Sequence, residues 1–248
     1  MTHRFSRISL LALPMLALLC LPLFGLIGQS TPTAIWQALA SPTLHQALWL
    51  SIATCTATLA LTLIFGTPLA IWLAHSRHPW LSICVDLPTV LPPAVAGLAL
   101  LTIFGRTGWS GQLGLPLAFT TTAVVLAQLF VAAPLYIQAT VVALRSIDDD
   151  ILAAAHIDGA STTQQWRYII IPLARTGMLT GAALALARAL GEFGATALFA
   201  GSLPGRTRTM ALAIYVAAEN DDATAITMSL ILLGISLVLL FIIRRRDT

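Results

Sequence analysis

"RSIDDDILAAAHIDGASTTQQWRYIIIPLART", Arg145 to Thr176, is a long polar interruption in a chain otherwise dominated by apolar runs. Asp148, Asp149 and Asp150 suit a helix start, where carboxylates cap free amides and oppose the positive end of the helix dipole. Ala153, Ala154 and Ala155 favour continuation, and Gly159 can end the helix in a left-handed conformation. Ser161 and Gln164 have the spacing of a capping box that opens a second short helix, which Pro172 disfavours beyond its first turns. The stretch therefore reads as a helix-turn-helix at a membrane surface. Loop physics alone leaves it open whether it merely connects two segments or docks a partner.

The flanking sequence identifies the solvent. Of the 248 residues, 58% are hydrophobic and 9% charged, and the mean hydropathy is +0.88; a water-soluble domain carries about 25% charged residues. Six apolar segments, 8–28, 45–74, 81–104, 119–143, 176–201 and 223–243, are each long enough to cross about 30 Å of hydrocarbon as a helix. The first could instead be a secretory signal, but its nearest A-x-A, Ala38 to Ala40, lies well past the apolar core, so the segment is expected to stay in the chain. The expectation is an all-α integral membrane protein, a single domain over 1–248 with the loop 145–175 on one face. With the amino terminus in the cytoplasm, Arg4, Arg7, Arg77, Arg145, Arg167, Arg175, Arg244, Arg245 and Arg246 lie inside and Arg106, Arg206 and Arg208 outside. That asymmetry follows the positive-inside rule and puts both termini in the cytoplasm.

Two features inside the apolar segments call for a reason. The third segment carries Pro88, Pro92 and Pro93 followed by Gly97, so its hydrogen-bond ladder must be interrupted. Broken membrane helices line cavities or are buried in protein, and prolines also kink purely structural helices. The fifth, "GAALALARALGEFGATALFAG" from Gly181 to Gly201, carries Arg188 and Glu192, four apart and so on one helix face. Charges at that depth pair, face a bundle interior or line a pathway. A structural or gating ion pair and a direct substrate contact both fit.

Residue types exclude several chemistries. All thirteen basic residues are arginine, so neither a phosphate-binding loop with its lysine nor a Schiff-base lysine is present. Cys20, Cys55 and Cys84 lie in apolar runs without C-x-x-C spacing and read as packing residues. His75 and His78 are the only histidines close together, in a short polar loop, and no metal site or cofactor is expected. No cluster of nucleophile, base and carboxylate suggests an enzyme.

The run "AAAHIDGASTTQQWRYIIIP" resembles the cytoplasmic signature loop of ABC importer permeases, summarised E-A-A, three residues, G, nine residues, I, one residue, L-P. Ala154, Ala155, Gly159, Ile169 and Pro172 stand at matching positions; Ala153 replaces the glutamate and Ile171 the leucine. "LHQALWLSIATCTATLALTLIFGTPLAIWLAHS", with Gly66, Pro68 and Ala70, is similar to the permeases' second span. "DLPTVLPPAVAGLALLTIFGRTGWSG", "ARALGEFGATALFAG" and "PGRTRTMALAIY" are most similar to the molybdate branch, to which the sulfate permeases are related.

The resemblance implies six spans in the type I importer permease fold. It implies a coupling loop made by Asp150, Ala153, Ala154, Ala155, Gly159, Ala160, Ser161, Ile169 and Pro172, docked on an ATP-hydrolysing subunit. Pro92, Pro93, Arg188 and Glu192 would then border the translocation path or its gate. The implied partners are two ATPase copies, a second permease copy, an extracytoplasmic substrate-binding protein and membrane lipid, with no nucleic acid. The implied location is a bacterial or archaeal cytoplasmic membrane, and the implied cargo a tetrahedral oxyanion: molybdate, tungstate or sulfate. A secondary carrier driven without ATP is the competing class.

Overall fold

The computed structural model describes residues 2–76, 78–115 and 117–244, with side chains described between residues 11 and 241. Arg77, Arg245 and Arg246, counted in the arginine asymmetry, lie outside the described residues. The described chain is helical throughout, with no strand. In order it forms α1 (Thr2–Gly28), α2 (Pro32–Leu39), α3 (Pro42–Leu61), α4 (Thr67–His75), α5 (Pro79–Val90), α6 (Pro93–Phe104) and α7 (Trp109–Gln112). There follow α8 (Thr121–Arg145), α9 (Asp149–Ile157), α10 (Thr162–Gln165), α11 (Ile171–Leu190), α12 (Gly194–Phe199), α13 (Met210–Ala218) and α14 (Asp222–Arg244). Proline opens α2, α3, α5 and α6, where its missing N–H would be unpaired anyway. Asp221 starts α14; hydrogen bonds from the Thr224 hydroxyl, then from the Thr224 and Ala223 amides, hold its carboxyl below the usual carboxylate range.

Several helices continue through an interior proline, α8 through Pro134 among them, and two do so next to a π-helical turn. α3 runs through a π-helical turn, Thr62–Gly66, into α4, and α10 runs through a second, Trp166–Ile170, into α11. In both, proline follows the π turn by two residues, as Pro68 and Pro172. The widened turn shifts the upstream carbonyls, giving the ring room and placing the missing donor where the ladder has already changed register. This corrects the expectation that Pro172 stops the second loop helix: the helix is continuous over Thr162–Leu190, 29 residues. The boundary of the loop at 175 is accordingly not a helix boundary.

Among the described residues, five helices are long and apolar enough to span a membrane, and α5 with α6 makes a sixth passage bent by 112° at Leu91 and Pro92. The contacts of α8 decide that this pair is a broken span rather than a re-entrant hairpin. Before α5, the carbonyls of Leu73 and Ala74 bind Arg145 at the end of α8. After α6, the carbonyl of Phe104 accepts the amides of Leu117 and Ala118, just before α8 begins. The chain between has travelled the length of α8. Likewise the apolar stretch 176–201 is not one helix: α11 ends at Leu190 and α12 starts at Gly194.

The α8 and α11 helices pack antiparallel at the centre. Small residues four apart face one another across this contact, Gly177 and Gly181 on α11 against Ala143 and Ala139 on α8. A Cβ on Gly181 would stand 2.8 Å from that of Ala139, and one on Gly177 would collide with Ala143. Such small-residue stripes let backbones approach closely in a membrane, where packing and not hydrophobicity drives association. Outward, the helices expose large apolar side chains such as Leu18, Phe65 and Val142. By helix order, Trp72, Trp80 and Trp166 lie toward the end carrying α9 and α10, and Trp36, Trp49 and Trp109 toward the opposite end, as interfacial anchors do.

This arrangement puts the α4–α5 turn and the segment before α13 at opposite ends of the bundle. Single cysteines in place of exposed His78 and exposed Arg206, in an otherwise cysteine-free chain, are expected to react with membrane-impermeant reagents from opposite sides. Labelling of both from one side would refute the six-passage topology.

Candidate functional site in the loop and the broken spans

The loop between α8 and α11 is built as two capped helices joined by a tight turn. Asp148 accepts the amide of Asp150 at 3.0 Å, and Asp149 and Asp150 occupy the first turn of α9. α9 ends in a Schellman turn: the Ala160 amide reaches the Ala155 carbonyl at 2.9 Å and the Gly159 amide that of His156 at 3.0 Å. Gly159 has φ +83°, a region that a side chain with Cβ occupies at a cost of about 1–2 kcal/mol. Ser161 and Gln164 then close a capping box: the Ser161 amide donates to Gln164 Oε1 at 2.8 Å, and Ser161 Oγ accepts the Gln164 amide at 3.4 Å.

No residue of α9 is buried. Asp150, Ala153, Ala154, Gly159, Ser161 and Pro172 are exposed, and Ala155, Ala160 and Ile169 half-buried. Apolar Ile151 and Ile157 are exposed too, Ile157 by 84%. Beside the turn, Asp158, Gly159, Ala160, Gln164, Tyr168 and Ile169 line an open concavity of about 310 Å³. The geometry is that of a projecting knob with an unpartnered apolar side.

The second constellation lies where the two broken spans meet. Gly97 in α6 sits against the backbone of Ala195 and the side chain of Leu198, and Pro93 fills the space beside Gly194. A Cβ on Gly97 would stand 2.8 Å from the Ala195 carbonyl oxygen. Pro92 and Pro93 thus form the corner of the third span, and Pro93 is also the surface against which the fifth one restarts.

Arg188 and Glu192 are brought together here, with Nη1 2.9 Å from Oε2, but not on one continuous helix. This corrects the expectation that their spacing of four puts both on one face of a single helix. Arg188 is in the last turn of α11, Gly191 caps that helix, and Glu192 precedes α12. Each charge therefore sits at the dipole end that favours it, the cation at a C-terminus and the anion at an N-terminus. Glu192 is buried, and its Oε1 accepts the Ala195 amide at 2.8 Å, tying α12 to the break. The guanidinium N–H is not aimed at Oε2, so this contact is coulombic rather than a well-aligned hydrogen bond. Arg188 is about one-third exposed, at 36%. The Phe193 ring packs at a 45° tilt against that of Tyr215, with centroids 4.9 Å apart.

Other residues sequence reasoning passed over. Gln128 on α8 is buried, accepts the Thr58 hydroxyl at 3.0 Å and lies 3.6 Å from Cys55 Sγ. Gln138 Nε2 donates to Asp86 at 2.6 Å, fastening α5 to α8. Ser51, Thr54, Thr58 and Thr62, at helical spacing along one face, were the available signal for the first of these contacts. Of the three cysteines, only Cys55 is buried, and all are unbonded. His75 binds the Ile71 carbonyl and faces Trp166, while His78 faces Trp80. No His, Cys, Asp and Glu cluster among the described residues could hold a metal.

Residues 66–247 match the family model described as "Binding-protein-dependent transport system inner membrane component". The chain belongs to that family. It is the membrane subunit of an ABC transporter, and ATP hydrolysis belongs to a separate subunit. Among curated relatives of this permease, ModB of Mycobacterium tuberculosis, a molybdenum transport system permease protein, is 40% identical over 208 residues, covering 81% of this chain and 79% of its own. The sulfate transport system permease CysT of Synechocystis is 30% identical over 259 residues, covering 97% and 91%. Solved structures share the fold. The inward-facing MetNI methionine ABC transporter superposes with TM-score 0.67 at 18% identity, over 87% of this chain and 96% of its own. A bacterial alginate ABC transporter in complex with alginate pentasaccharide-bound periplasmic protein gives 0.69 at 17% identity, over 96% and 91%.

The ion pair makes the permease's break testable. Glu192→Ala removes both the cap of α12 and the counter-charge of Arg188. Losing one partner of a buried pair costs about 3–5 kcal/mol, reduced here by solvent at the guanidinium. Arg188→Ala and Glu192→Ala are each expected to impair folding or transport, and the double variant to be no worse than the poorer single. Additive losses, read from folded yield and transport together, would mean independent roles.

Proposed function

We propose that this permease subunit imports a tetrahedral oxyanion, molybdate in the first place and tungstate by the same route, powered by ATP on a partner. The observation that carries the reading is the 40% identity to a molybdenum permease over 81% of the chain. Sulfate is the second reading, supported by the sulfate permease at 30% identity over 97%.

The working assembly is two copies of this chain, two ATPase subunits and an extracytoplasmic binding protein, in the cytoplasmic membrane. The whole chain, 1–248, serves as one membrane domain, its loop end and both termini in the cytoplasm. The loop residues Asp150, Ala153 to Ala155, Gly159 to Ser161, Ile169 and Pro172 form the coupling element, with α9 as the knob that enters the ATPase. Closure of the ATPase dimer moves α9, and the α8–α11 stem carries that movement to the breaks at Pro92, Pro93, Arg188 and Glu192. No cofactor on this chain takes part.

At those breaks the ion pair acts as a gate element rather than an anion cage. Arg188 would attract an oxyanion, and Glu192 would repel it. What favours the gate is that one oxygen of Glu192 is already committed to the start of α12, so separating the pair and moving α12 are one event. Selection is left to the binding protein, which hands over the cargo.

Reconstitution with the ATPase and binding protein tests both parts. Molybdate is expected to stimulate ATP hydrolysis and to accumulate, and excess sulfate to leave its uptake unchanged; sulfate uptake in place of molybdate would overturn the cargo. Gly159→Val places a β-branched residue at φ +83°. It is expected to insert normally yet lose ATPase docking or coupling, whereas Ala153→Glu is expected to keep both. Normal transport by Gly159→Val with no ATPase present would remove the loop from the mechanism.

A further inference from the structure

We infer that the loop drives the membrane helices through the end of α4 as well as through its own stem, with Arg145 and Trp166 as the positioning residues. The inference rests on the reading of the loop as the coupling element.

Arg145 is the last residue of α8, where the loop begins, and Trp166 opens the π turn by which the loop rejoins the bundle. Both reach the same helix end. Arg145 Nη2 donates to the Leu73 carbonyl at 2.9 Å and Nε to the Ala74 carbonyl at 3.3 Å. The ring of His75, the final residue of α4, lies 6.4 Å from that of Trp166. Carbonyls in a helix's last turn lack helical partners and form its negative end. A planar guanidinium spanning two adjacent ones fixes position as well as charge. The loop thus stands on α4 with both feet, and α9 cannot swing without moving that end or breaking a contact.

α4 is one end of a single rod. α3, the π turn and α4 run unbroken over Pro42–His75, 34 residues, or about 51 Å at helical rise. Near the opposite end, Ser51 Oγ accepts the Met210 amide at 2.8 Å. Leu44 and Ala47 there pack with Met210 and Ala213. The rod therefore links the docking loop to the segment between α12 and α13 by a second route, alongside α11, against which Cys55, Ala70 and Leu73 pack.

The test uses the full chain reconstituted with its ATPase and binding protein, with molybdate as the transported probe, and reads molybdate taken up per ATP hydrolysed. Arg145→Gln and Trp166→Ala are each expected to lower that ratio by about fivefold or more, as for a coupling energy of at least 1 kcal/mol, while the ATPase still co-purifies. Arg145→Lys, whose ammonium engages one carbonyl at a time, should fall between. The double variant should be no worse than the stronger single, because both act on one strut. An unchanged ratio in Trp166→Ala and Arg145→Gln, alongside lost coupling in Gly159→Val, would overturn the strut and leave the loop's role intact. Loss of ATPase co-purification in Arg145→Gln would make that residue part of docking, again overturning it. Should Arg145→Gln fail to fold, Trp166→Ala, which removes no hydrogen bond, decides the matter. Normal coupling in Gly159→Val would refute the underlying reading instead.

Discussion

The close approach of α8 and α11 is the contact on which everything else hangs. Lipid chains are as apolar as leucine, so two helices gain little from hiding apolar surface from them, and what remains is packing at short range. Gly177 and Gly181 supply that range by presenting no Cβ to Ala143 and Ala139. Because the two helices are the spans on either side of the loop, this contact also forms its stem. Its capping box, Schellman turn and acidic N-cap are all local, and none would hold α9 in a defined place without a rigid stem beneath it.

From the same stem the chain builds two unlike ends. At the loop end, arginine and aromatic side chains tie the stem to α4. Toward the other end, both the third and the fifth spans break, and the breaks are packed into each other through Gly97, Pro93 and Gly194. Breaking a membrane helix exposes amides and carbonyls to hydrocarbon, which is tolerable only where protein satisfies them. Glu192 does so for α12 through the Ala195 amide, and the dipoles of α11 and α12 explain why a charged pair survives there.

Much of the fold was legible because membrane insertion is a composition problem. Apolar length, arginine placement and proline position identify segments, and the turn chemistry around Gly159 and Ser161 identifies the loop helices down to their caps. Proline was misleading at Pro172. Its usual effect on a helix is local, but a π turn just upstream cancels it, and nothing in the residue types of Trp166 to Ile170 announces that turn. The break after Arg188 was hidden for the opposite reason: Gly191 in an apolar run is compatible with a continuous helix, and only packing against α6 makes stopping worthwhile.

The sequence by itself determined that this is a helical membrane protein with a capped polar loop, no lysine-based phosphate site, and a charged pair in its fifth apolar segment. These follow from side-chain type and from interactions within a few residues. Tertiary structure decided which faces meet: that Gly177 answers Ala143, that the two proline and glycine breaks adjoin, that Gln138 holds Asp86, and that Arg145 caps a helix ending about seventy residues earlier in the chain. Such contacts depend on helix rotation and depth, and a helix carries almost no local record of either. Rotation is set by the small-residue stripe of one helix finding that of another, which is a property of pairs.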